Sequence, residues 1–182
     1  MYKAVELLVN IFQAFAVTFY LIKCLGIKAG KNRTFVWMTG IIVTVIYLEV
    51  MNSIVFFESV GVLVYLVISL TFSVLFLNGN TTEKVMYNVV MMVAIVCSAM
   101  LGAGIVGVIK GIDFLEVGQY GDVNRYISLV LTQVILCIFF YMIVKFKTMN
   151  ENMERKIYIQ HAQEELLIEA YRQKEKDIEN II

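Results

Sequence analysis

A chain with five apolar runs of about membrane-spanning length, and no proline to interrupt them, has few ways to fold. A bilayer span takes about 20 mostly apolar residues, because the hydrocarbon core is roughly 30 Å thick and an α-helix rises about 1.5 Å per residue. Runs of this kind cover residues 4–24, 35–57, 60–77, 85–109 and 126–144. Hydrophobic residues make up 60% of the 182 and charged residues 16%. Soluble domains run roughly 45–50% apolar and about 25% charged, and one of this length has too little interior to hide the excess. The expected fold class is all-α: a polytopic membrane helix bundle of about five transmembrane helices, residues 1–148, continuing into a long cytoplasmic amphipathic or coiled-coil helix, residues 149–182. Composition excludes a disordered chain, a disulfide scaffold and a large soluble enzyme. The balance of 15 basic and 15 acidic residues excludes a basic nucleic-acid binder.

The breaks between runs carry turn and charge signals. Gly26, Gly30 and Asn32 punctuate the first loop, and Asn78-Gly79-Asn80 before Thr81-Thr82-Glu83 reads as a turn and then a capped helix start. Phe57-Glu58-Ser59 separates the second and third runs, and Gly111 through Asn124 the last two. The first run is too long, and its amino-terminal side too poor in basic residues, for a cleavable signal peptide. Lys23, Lys28, Lys31 and Arg33 lie in the first loop, Lys84 in the third, and Lys145 and Lys147 after the fifth run. Positive charge is retained in short cytoplasmic loops, so the amino terminus is expected outside and the carboxyl terminus in the cytoplasm. The overall neutrality is a cancellation: residues 1–150 carry 10 basic and 7 acidic side chains, residues 151–182 carry 5 and 8.

From Met149 the chain turns rich in Glu, Gln, Lys and Arg. Met153, Ile157, Leu167, Tyr171, Ile178 and Ile181 fit alternating d and a positions of a seven-residue repeat, interrupted at Gln160, Glu164 and Lys174. Such a seam points to a homodimer through this helix. The alternative is a solvated helix lying beside the membrane. The apolar Ile181-Ile182 end, without a stop signal, leads us to expect that the helix leads on into a further domain.

No catalytic constellation assembles, and no cofactor or metal is expected. Cys24, Cys97 and Cys137 lie in or at the ends of spans, and His161 is the lone histidine. This leaves neither a Cys–His pair on one face nor a zinc ligand set. Gly102, Gly104 and Gly107 lie inside an apolar run and not at a strand-to-helix turn, which excludes a phosphate loop. Ser98, Ala99, Gly102, Ala103 and Gly107 instead form small-residue repeats that suit close helix packing.

Polar residues inside spans are costly and mark candidate sites. Glu6, Asn10 and Gln13 share one face of the first run, Glu49 and Asn52 sit at i and i+3 on the second, and Thr132 and Gln133 lie about two turns into the fifth. With the amino terminus outside, all fall in the outer half of the bilayer, where they are expected to line a pocket or to pair between helices. Glu49 follows Val36 by roughly thirteen residues, about 20 Å into the core. Glu6, Asn10, Glu49, Asn52 and Gln133, with Asp113, Phe114, Glu116 and Tyr120 of the last external loop, are the candidate ligand-binding residues. A small ion or solute transporter using Glu49 and Glu6, and a membrane scaffold whose tail recruits a partner helix, remain open as alternatives.

The opening Val5-Glu6-Leu7-Leu8-Val9-Asn10, the basic first loop, Asn78-Gly79 before Lys84, and a last span leading into Tyr158-Ile159-Gln160 through Tyr171-Arg172-Gln173-Lys174 together resemble a known family. They are similar to the input half of accessory-gene-regulator-type, peptide-sensing bacterial histidine kinases with a GHKL-type ATPase domain. The resemblance spans nearly the whole chain and rests on layout and composition. It implies a membrane sensor that detects an extracellular signal, commonly a small peptide, and drives a dimeric helix. Its output would reach a response regulator only through a kinase domain that this chain lacks. His161 is followed by Ala162 and Gln163, unlike the family's His-Asp phosphorylation motif, so that role is not carried over.

Overall fold

The computed structural model describes residues 2–52, 58–113, 117 and 123–179. These form five α-helices: α1 Tyr2–Leu25, α2 Arg33–Asn52, α3 Glu58–Phe76, α4 Thr81–Lys110 and α5 Val123–Glu179. The protein is an all-α polytopic membrane bundle, as the apolar runs require. Among the described residues, four helices, α1, α2, α4 and α5, are long and apolar enough to cross a bilayer, and α3 contributes an apolar stretch at Gly61–Phe76. Helix α2 is described to Asn52, so residues 53–57 of the second expected span lie outside the described residues.

Local chemistry sets the helix ends. Gly26 adopts φ 75° and Gly111 φ 66°, the left-handed conformation that ends α1 and α4 without a Cβ clash. Asn32 Oδ1 accepts from the Thr34 amide at 2.9 Å and so caps α2. Asn80 caps α4, its side chain accepting from Glu83 N at 2.8 Å while Glu83 Oε2 accepts from Asn80 N at 3.0 Å. This reciprocal box satisfies two amides that the helix itself leaves orphaned.

The chain separates into two units, Met1–Val144 and Lys145–Ile182. In the first, α1 is the most enclosed helix, with half of its span buried. Tyr20, fully buried, stacks on Phe140 of α5 with ring centroids 4.4 Å apart, and Tyr47 of α2 stacks on Tyr65 of α3 at 4.9 Å. Two glycines let backbones approach. A Cβ on Gly40 would meet Thr18 of α1 at 2.7 Å and Phe72 of α3 at 2.9 Å. A Cβ on Gly102 would overlap Thr132 Oγ1 of α5 and press on the Ser128 carbonyl at 3.1 Å. Outward faces are apolar, with Leu8, Leu63, Val108 and Ile138 exposed, as lipid contact demands and water forbids.

Successive helices of this unit alternate in direction between two rims. At one rim the first and third loops are joined, which nothing in the sequence announces. Ile27 and Leu77 form an isolated antiparallel bridge, Lys28 N donates to Phe76 O and Asn78 N to Gly26 O, each at 3.0 Å. Asn78 Nδ2 adds a bond to Ile27 O at 3.0 Å.

In the second unit the α5 residues Glu151–Gln173 are exposed throughout. Met153, Ile157, Leu167 and Tyr171 are exposed, but so are Tyr158, Ile159, Leu166 and Ile168. Apolar surface is therefore not confined to the expected seam. The side chain of Ile178, and Ile181 as a whole, lie outside the described residues.

Candidate functional site

The polar residues of the first run turn out to be connectors. Glu6, Asn10 and Gln13 recur at i, i+4 and i+7, which keeps them on one face of α1. That face lies in the crease between α2 and α5. Toward α2, Asn10 Nδ2 donates to Glu49 Oε1 at 2.7 Å. Toward α5, Arg125 Nη2 lies 3.2 Å from Glu6 Oε1, and Gln133 Nε2 donates to Gln13 Oε1 at 3.2 Å. Tyr20 on Phe140 continues the same series. Residues 6, 13 and 20 of α1 thus meet 125, 133 and 140 of α5, so the two helices run parallel and in register, one contact every two turns.

Glu6 and Arg125 lie at the rim opposite the loop bridge, and Gln13 and Gln133 about 10 Å further into the bundle. Asn10 and Gln133 are buried, each 6% exposed, and the Glu6 side chain is 12% exposed against 26% for Arg125. A carboxylate so enclosed is retained only with a partner, and Arg125 supplies it. Arg125 is not among the candidate residues named from the sequence. The available signal was the presence of a base at the head of the fifth span, level with the acid at the head of the first.

Glu49 is exposed and lies three residues before Asn52, the last described residue of α2. The Asn52 side chain, and Phe114, Glu116 and Tyr120, lie outside the described residues. Asp113 is exposed, and its carbonyl accepts from Val117 N at 3.3 Å.

A groove of about 670 Å³ runs between α1 and α5 beside the connectors. Val5, Leu8, Phe12, Val130, Val134 and Ile138 line it, and of the described candidate binding residues only Gln133 reaches it. Glu6, Asn10 and Gln133 make pairwise bonds between helices, the second of the two expected arrangements, with an apolar groove alongside.

The small-residue face of α4 divides in two. Ser98, Gly102 and Gly107 are buried, with Ser98 Oγ donating to Ala94 O at 2.6 Å. Ala99 is exposed and Ala103 only half-buried, so they do not share the contact with α5. The buried row is Ala94, Ser98, Gly102 and Val106, four residues apart. A second polar contact, absent from the sequence reading, joins α3 to α4: fully buried Asn88 donates through Nδ2 to Ser73 Oγ at 2.9 Å and to Lys84 O at 2.7 Å.

No family model, no curated protein and no solved structure matches this chain.

Proposed function

We propose that this chain is a membrane sensor module. The rim carrying Glu6, Asn10 and Glu49 faces outside, on the asymmetry of Lys and Arg between the two rims. An extracellular ligand, a small peptide on the resemblance in layout, engages this rim and competes for the connectors. Because Glu6 and Gln13 hold α5 through Arg125 and Gln133, exchange of those partners shifts α5 along or about its axis. The same helix supplies residues 145–179, which transmit the shift as a homodimer to a histidine kinase domain and its response regulator. The observation that supports this reading is the α1–α5 register: the helix held by the polar connectors is the helix that leaves the bundle.

The test is disulfide crosslinking of single cysteines placed from Met153 to Tyr171, in membranes, with the three native cysteines changed to serine. Spent culture medium of the source organism, intact or protease-treated, serves as the signal. Intact medium is expected to change the pattern of crosslinked positions, and Arg125→Gln to abolish that change. An identical pattern under all conditions sinks the transmission reading. Solute or ion flux in vesicles that disappears on Glu49→Gln would establish transport in its place.

A further inference from the structure

The bridged rim is electrically unusual. Within residues 23–33 and 76–84 lie Lys23, Lys28, Lys31, Arg33 and Lys84 against a single acid, Glu83. Glu83 is already committed to the Asn80 cap. Lys28 Nζ donates to the Val74 carbonyl at 2.6 Å. Among the described residues, Lys23, Lys31, Arg33 and Lys84 have no carboxylate within salt-bridge distance, unlike Arg125 and Lys147, which pair with Glu6 and Glu151.

Two of these cations stand where a helix least tolerates them. Arg33 opens α2, whose first turn holds no acid, and Lys84 lies in the first turn of α4. Both add positive charge to the positive end of a helix dipole. Lys84 as a whole residue is 8% exposed. The loop bridge ties together the segments that lead into α2 and α4. Lys23 and Lys31 lie over the Phe19 and Phe76 rings at 5.8 and 5.6 Å, which keeps their ammonium groups at the edge of the apolar surface. Phe35, two residues after Arg33, and Leu75, beside Phe76, are exposed apolar side chains.

We propose that this rim is a binding surface for anionic phospholipids. Headgroup phosphates seat among Lys23, Lys31, Arg33 and Lys84, and acyl chains lie on Phe35 and Leu75. The uncompensated charge calls for an anion. The adjoining apolar surface selects an anion that carries hydrocarbon, which a free phosphate does not.

The experiment reconstitutes the full chain into nanodiscs of phosphatidylcholine alone or of an equimolar mixture with phosphatidylglycerol. After extraction, lipids retained on the protein are counted by mass spectrometry. Phosphatidylglycerol is expected to be retained in excess over its bulk share, with the preference falling about fivefold for each cation neutralised in Lys31→Gln and Arg33→Gln. Lys110→Gln, at the opposite rim, is expected to keep it. Lys31 and Arg33 are exposed, so these variants remain informative should Lys84→Gln fail to fold. Retention at the bulk ratio in the native chain overturns the proposal, as does retention unchanged in both variants. So does displacement of the lipid by millimolar inorganic phosphate, which would make this a site for soluble anions.

Discussion

Glu6 and Arg125 each put a charge at the edge of an apolar helix, and each is tolerable because the other is 3.2 Å away. Removing one partner strands the other in poorly screened surroundings. Arg125→Met is therefore expected to destabilise the bundle by about 2–4 kcal/mol, read as a lowered unfolding midpoint in detergent. The Glu6→Gln, Arg125→Met double variant is expected to recover much of that loss. A double variant no more stable than Arg125→Met alone would assign the cost to lost packing of the guanidinium stem. Asn10 is a milder case, since its part-buried bond joins a neutral amide to the carboxylate of the exposed Glu49. Asn10→Leu is expected to cost about 1 kcal/mol in the same measurement. Which residues were polar and on one face of α1 was legible in the i, i+4, i+7 spacing. Their partners were not, because a helical face says nothing about which neighbour fills the crease beside it.

At the scale of elements, the α4–α5 contact turns on one missing side chain. Gly102→Val would drive a branched side chain into Ser128 and Thr132, with an expected cost of about 1–3 kcal/mol in unfolding free energy. Ala99→Val, one residue off that row and exposed, is expected to stay within about 0.5 kcal/mol. Equal effects would mean that Ala99 packs against something other than lipid. The small-residue repeats were visible in the sequence, but two overlapping rows, offset by one residue, looked alike there. Only the rotation of α4 about its axis decides between them. The loop bridge belongs to this scale too. Asn78→Ala removes its bond to Ile27 O and is expected to cost about 1 kcal/mol. No spacing rule connects residues 26–28 with 76–78, since their pairing depends on α1 and α3 ending at the same rim.

For the molecule as a whole, the second unit exposes apolar residues around more than one face of a single helix, which an isolated helix in water does not sustain. If that surface is covered by a second copy, Leu167→Asp is expected to abolish crosslinking between cysteines at Met153 positions, whereas Glu165→Ala leaves it intact. Undiminished crosslinking of the Leu167→Asp chain would mean that a different face, such as that of Ile159 and Leu166, makes the contact. The heptad reading picked out Met153, Ile157, Leu167 and Tyr171 because periodicity is all that a lone helix offers. The competing apolar residues lie at adjacent positions.

The sequence by itself determined the class of structure. Apolar runs of spanning length leave a helix as the only way to satisfy backbone hydrogen bonds in lipid, and the caps at Asn32 and Asn80 and the left-handed glycines follow from local chemistry. Tertiary structure alone decided the partnerships: Glu6 with Arg125, Asn10 with Glu49, Gly102 with Thr132, and one loop with another 50 residues away. The physical reason is that membrane insertion depends on the summed hydrophobicity of each helix taken separately. Pairing depends on the rotation and depth of two helices together, and these are set by packing across the whole bundle.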